Sequence, residues 1–187
     1  MTFPWYSDVE THATLEQGDI IEKCNIILPS QAHYQAIVED REVDTPLRIL
    51  EITAIIVSQS CDITNYKIDS IIVCPVWSLK KLIEVDGYYK SSKGKEELRQ
   101  GKSPSYHLLN KFETATAPAD FYFVDFHNIY SVPKSFLEAL ILKNPRKRLL
   151  PPYREHLSQG FARYFMRVGL PTDIDADEIK NYGAVSS

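Results

Sequence analysis

Residues 49–58 read Ile49, Leu50, Glu51, Ile52, Thr53, Ala54, Ile55, Ile56, Val57, Ser58. From Ile52 to Val57 the run is β-branched or apolar without a polar alternate, so neither face can lie in water. It predicts a central strand, and the rest of the chain is read outward from it. Downstream, 59–68 is polar and loop-like, and 71–76 is a second short β-branched run. Pro75 lacks an N–H, so it is expected to end ladder pairing there or to sit at a rim. Upstream, Gly18 and Asp19 form a turn that opens an isoleucine-rich strand over 20–28.

Further out, 106–112 and 121–130 read as two more strands, joined by a loop over 115–120. Short helices are expected over 79–85 and 95–99, the second inside a lysine-rich excursion spanning 86–104. Ser131 and Pro133 open a helix reaching about residue 142. Pro151 and Pro152 open the last helix, which Gly169 and Pro171 stop. Along it Tyr153, Leu157, Phe161, Tyr164, Phe165 and Val168 fall at helical spacing, a stripe that should face the core, with His156, Arg163 and Arg167 on one flank.

Length and composition set outer bounds. The 187 residues suffice for one domain with an appendage, and 44% hydrophobic with 25% charged residues is ordinary globular usage. No run approaches the ~18–20 apolar residues of a membrane span. The first ten residues carry Asp8 and Glu10 and no basic segment, unlike a secretory leader. Cys24, Cys61 and Cys74 form no paired-cysteine motif, so reduced thiols in a cytoplasm are expected, with no metal site and no cofactor. The net charge of −4 argues against a general affinity for nucleic acid, but charge is unevenly spread. Residues 1–60 hold ten acids and three bases, whereas 143–167 hold seven bases and one acid. These opposite ends can attract each other.

Three constellations are candidates for chemistry. Cys61 and Asp62 stand where the central strand meets a polar loop. Cys61 becomes a nucleophile only if a base such as His127 or His107 lies near it; otherwise Cys61 is a packing residue and Asp62 a turn former. Asp125 and His127, two apart, can serve acid–base work or stand as a rim pair. Lys143, Arg146, Lys147, Arg148, Arg154, Arg163 and Arg167, with Tyr153 and Tyr164 interleaved, have the composition that single-stranded RNA or DNA binds, or else pair with the acidic N-terminal half.

Gln17-Gly18-Asp19-Ile20-Ile21, then residues 52–58, then 71–78 (Ile-Ile-Val-Cys-Pro-Val-Trp-Ser) resemble the strands of the PemK/MazF-like toxins, and 121–140 resembles the strand and helix that follow in them. The resemblance covers about 20–140, with insertions at 29–48 and 85–104. It implies an α+β fold, an SH3-like β-barrel of this type with peripheral helices, placed over 1–150; 151–187 lies outside the resemblance and reads from its own pattern as a C-terminal amphipathic helix and acidic tail packed on the barrel. It also implies RNA cleavage, but the toxins' catalytic arginine and threonine align with Ile52 and Trp77, which can neither stabilise a phosphorane nor transfer a proton. Ser78 matches the serine after that threonine. The segment from Pro151 is similar to an ending of uncharacterised bacterial proteins that also carry Ser-Gln-x-Cys-Asp. The expectation is therefore a non-catalytic barrel module binding nucleic acid or a protein partner, in a bacterial defence or toxin–antitoxin setting and away from membranes. The alternative is a hydrolase or ribonuclease using Cys61, Asp62, Asp125 and His127. For nucleic-acid contact the expected residues are Arg146, Lys147, Arg148, Arg154, Arg163 and Arg167.

Overall fold

The computed structural model describes residues 3–115 and 117–166. Its centre is the strand read first: β3 (Arg48–Ile56) lies between β2 (Asp19–Leu28) and β4 (Ser70–Ser78), antiparallel to both. Around this trio an eight-stranded antiparallel sheet runs in the order β1-β8-β2-β3-β4-β6-β5, with β7 also on β4. The outer strands are β1 (Tyr6–Val9), β5 (Tyr106–Thr114), β6 (Ala117–Asp125), β7 (Tyr130–Pro133) and β8 (Arg146–Leu149). The sheet is open and strongly curled, a half-barrel, and with six α-helices among the described residues, the first being α1 (Gln31–Val38), the fold is mixed α+β. None of these helices is long and apolar enough to cross a membrane.

Both faces of β3 are covered, as its sequence requires. Ala54 and Ile56 join one core with Ile21, Val73, Leu137 and Ile141, closed by α5 (Lys134–Ile141) and by Ile63 of α2 (Ser60–Thr64). Ile55 and Val57 join a second core with Val76, Val124, Phe126 and Leu157, closed by α6 (Tyr153–Phe165). A smaller cluster of Leu82, Tyr89, Leu98 and Phe123 seats α3 (Leu79–Val85) and α4 (Ser92–Arg99). On α6 Leu157 is fully buried, with Tyr153, Phe161 and Tyr164 packed beside it. Phe165 is instead 59% exposed. Twelve residues at 100° each carry it about 120° round the helix from Tyr153, off the buried face. Val168, Arg167 and the acidic tail lie outside the described residues.

Two expectations about strand ends are corrected. β4 runs through Pro75 instead of ending there. It pairs with β7 over 70–73 and with β6 over 76–78, so Cys74 and Pro75 have no partner on that side and no N–H is missed. The strand expected over 121–130 starts earlier, at Ala117, and stops at Asp125, whose carboxylate closes the turn leading to β7.

Of the two readings of the basic stretch, the pairing with the acidic N-terminal half describes 146–154. Residues 146–149 form β8, wedged between β1 and β2, and its arginines bind the acidic N-terminal half. Gly18, at φ +85, makes this junction: a Cβ there would sit 3.1 Å from that of Leu149. Asp19 and Arg146 have wholly buried side chains and pair at 2.8 Å. Arg146 also donates to the carbonyls of Glu10, Ala13 and Thr14. Arg148 pairs with Asp19 and Glu16, Lys147 with Asp8, and Arg154 with Glu16 and Glu155. Of the expected nucleic-acid residues, Arg146 is thus enclosed in the fold, and Arg148, Lys147 and Arg154 are engaged by acids. A buried guanidinium needs a carboxylate partner, and the chain supplies one about 130 residues away in sequence.

Candidate binding clefts along the closing helix

The loop after β3 is held by side chains. The Gln17 amide donates to the Val57 carbonyl at 2.9 Å, and the Ser60 hydroxyl accepts from the Gln17 backbone N–H at 3.0 Å. Ser58 Oγ accepts from the N–H of Ile72. This fixes the start of α2 and leaves Cys61 exposed, its Sγ 3.7 Å from an Asp62 oxygen that also pairs with Lys67. Cys61 lines an open cleft with Gln17, Ser60, Arg154, Glu155, Ser158 and Gln159, but no histidine lines it. The other two thiols are buried, and burial pushes Cys24 up to about 11 and Cys74 up to about 12.

Asp125 and His127 do meet, Oδ1 to Nδ1 at 2.9 Å. The same carboxylate accepts from the His127 backbone N–H and from Asn128 Nδ2, so its oxygens build the turn. The His127 ring meets Tyr106 and Tyr164 edge-on. Among the described residues no hydrogen bond links Cys61 or Asp62 to Asp125 or His127. The four residues are therefore two separate pairs.

A second cleft, about 350 Å³, opens on the neighbouring flank of α6, and Gln159 borders both. Its walls include Tyr106, His107, Phe126, His156 and Arg163. His107, on β5, is half-buried, and no hydrogen bond holds its ring among the described residues. Loss of solvent, and then the nearby His156, pull its pKa down to about 4, so the imidazole is neutral at ordinary pH. Arg163 is exposed and, among the described residues, forms no ion pair. The helix can approach because of Gly160: a Cβ there would lie 3.1 Å from His107 Nδ1 and 3.6 Å from the Phe126 ring. A glycine inside a helix costs about 1 kcal/mol against alanine, and here it makes room for an imidazole.

Sequence reasoning named Arg163 and the flank carrying His156, but not Gln159, Gly160 or a cleft around His107. The signal was a lone glycine in the middle of an amphipathic helix, four residues after a histidine and three before an arginine. Among the described residues no group of three or more His, Cys, Asp and Glu is placed to hold a metal ion.

No protein family matches the chain, and no curated protein and no solved structure does either. The half-barrel is compatible with a barrel fold, and no match to a family or homologue ties it to the PemK/MazF-like toxins.

Proposed function

We propose that the chain is a non-catalytic binding module, a distant barrel relative of the PemK/MazF-like toxins, and that the face around α6 takes single-stranded nucleic acid. The observation that carries this reading is the division of the basic residues. Arg146, Lys147, Arg148 and Arg154 are paired with acids, whereas Arg163 stands open at a cleft that also presents Tyr106, His107 and His156. An exposed guanidinium with no ion pair among the described residues, beside aromatic and imidazole rings, suits a phosphate followed by an unstacked base. The absence of cleavage is supported by the two positions where the toxins carry their catalytic groups. Ile52 is buried in the core, and Trp77 lies under the Lys81 ammonium at 3.2 Å.

The test is fluorescence anisotropy with labelled single-stranded RNA and DNA pools at low and moderate salt, run beside a gel that reports cleavage. The reading expects salt-sensitive binding and intact oligonucleotides. No binding at the lowest salt would leave a protein partner as the ligand class. The hydrolase alternative has one observation in its favour, the exposed Cys61 thiol lining its own cleft. Cleavage lost on Cys61→Ala would establish it.

A further inference from the structure

We propose that the cleft between β5, α6 and the 99–104 loop is a pocket for one nucleotide unit, with His107 facing the edge of an unstacked base and Arg163 its phosphate. This rests on the nucleic-acid reading above, and it names what that face reads.

The shape comes first. About 350 Å³ is at the small end of ligand pockets, so it suits a single planar heterocycle and not a folded segment. The composition agrees. Tyr106, Leu108 and Phe126 supply flat or apolar wall, whereas His107, His156, Gln159 and Ser103 supply uncharged or weakly basic hydrogen-bonding groups. Cationic charge lies on Arg163 and on Arg99, and Arg99 is already held by Glu96 through two bonds. Arg163 is therefore the arginine left for an anion. Apolar walls, a few convergent polar groups and one open cation match a base carrying a phosphate better than a bare anion or a lipid tail.

His107 gives the pocket its selectivity. No hydrogen bond holds its ring among the described residues, and no fully enclosed side-chain nitrogen or oxygen lacks a partner there. Neither ring nitrogen is therefore fully enclosed, Nδ1 lies beside Gly160, and His107 lines the cleft. A neutral imidazole offers one donor and one acceptor, whereas an imidazolium offers donors only. The base edges carry donors and acceptors side by side, so a neutral ring can match them. Gly160 is the second observation. Its missing Cβ is what leaves His107 Nδ1 its space, at a cost in helix propensity that packing of the apolar stripe does not require.

The same chemistry could come from a nucleic-acid strand or from a free nucleotide, and the experiment separates them. A labelled single-stranded 12-mer and the four nucleoside monophosphates are titrated into the full chain and into His107→Gln, Gly160→Ala and Arg163→Gln. Circular dichroism and thermal melts confirm folding. His107→Gln keeps a neutral polar side chain, so the test survives if Gly160→Ala disturbs packing. The proposal expects His107→Gln and Gly160→Ala each to weaken the 12-mer by about tenfold or more and to level its preference among bases, with the salt slope unchanged. Arg163→Gln should lower the salt slope by about 0.7. If the 12-mer binds and both cleft variants bind like wild type, the pocket is overturned while the nucleic-acid reading stands. If only the monophosphates bind, and His107→Gln abolishes this, the pocket holds with a free nucleotide as ligand and the strand reading falls. If neither probe binds, both are overturned.

Discussion

Replacing Asp19 by alanine should be among the most damaging single changes in this chain. The carboxylate is wholly enclosed and accepts from Arg146 Nε at 2.8 Å, from two nitrogens of Arg148, and from the Glu16 backbone N–H at 3.1 Å. Its loss leaves the Arg146 guanidinium buried with only the carbonyls of Glu10, Ala13 and Thr14 as acceptors, which cannot neutralise it. Arg148 fares better, because Glu16 remains. Removing one partner of a buried pair costs about 3–5 kcal/mol. Against a typical total of about 5–15 kcal/mol that is a large share. For a chain of this size it corresponds to a fall in Tm of about 6–20 °C. Asp19→Asn keeps the shape and one acceptor and should fall between alanine and wild type. Urea titration gives the free energy, and hydrogen exchange at residues 10–14 should show the N-terminal segment loosening first. A loss below about 1 kcal/mol for Asp19→Ala would refute the reasoning that this carboxylate binds β8 and the N-terminal segment to the sheet.

Three further outcomes are expected. Ile56→Ala, at a fully buried position in the first core, should cost about 2–5 kcal/mol by urea titration, and an unchanged midpoint would contradict the central placement of β3. His107 titrates near 4 in the folded chain against about 6.5 unfolded, so the unfolded state takes up the proton first. Stability should therefore fall as pH drops from about 6.5 to about 4, by up to about 3 kcal/mol from this group. His107→Gln should flatten that part of the pH profile, and an identical profile in the two proteins would disprove it. Alkylation of the folded chain followed by peptide mapping should label Cys61 well before Cys24 and Cys74, and equal protection of all three would place Cys61 in the interior.

What the sequence made legible follows from how local each signal was. The central strand could be read because Ile52 to Val57 is apolar on both faces, and 79–85 read as a helix and forms α3 over Leu79–Val85. β8 was illegible because Arg146, Lys147, Arg148 and Leu149 look like a solvated basic stretch until Asp19 and Asp8, more than a hundred residues earlier, are placed opposite them. That the acidic and basic ends attract was readable as a sum of charges, but not residue by residue. Asp125 to Asn128 read as strand because alternation continues through them, and only the carboxylate's bonds to His127 and Asn128 mark a turn. α2 is five residues long, too short for periodicity to register. The His107 cleft joins β5, the 99–104 loop and α6, so no window of sequence contains it. Gly160 alone hinted that something must come close to α6 at that point.

The central claim is that nucleic-acid contact passes through the open arginine of α6 and not through the paired arginines of β8. Arg163→Glu tests it most directly, because the residue is exposed on α6 and its reversal should leave the fold intact. Anisotropy with a single-stranded oligonucleotide, measured across a salt series, should show wild-type affinity falling as salt rises and the variant binding far more weakly with a salt slope lower by about 0.7 or more, its melting temperature unchanged. Binding by a folded Arg163→Glu protein with the wild-type affinity and salt slope would contradict the account.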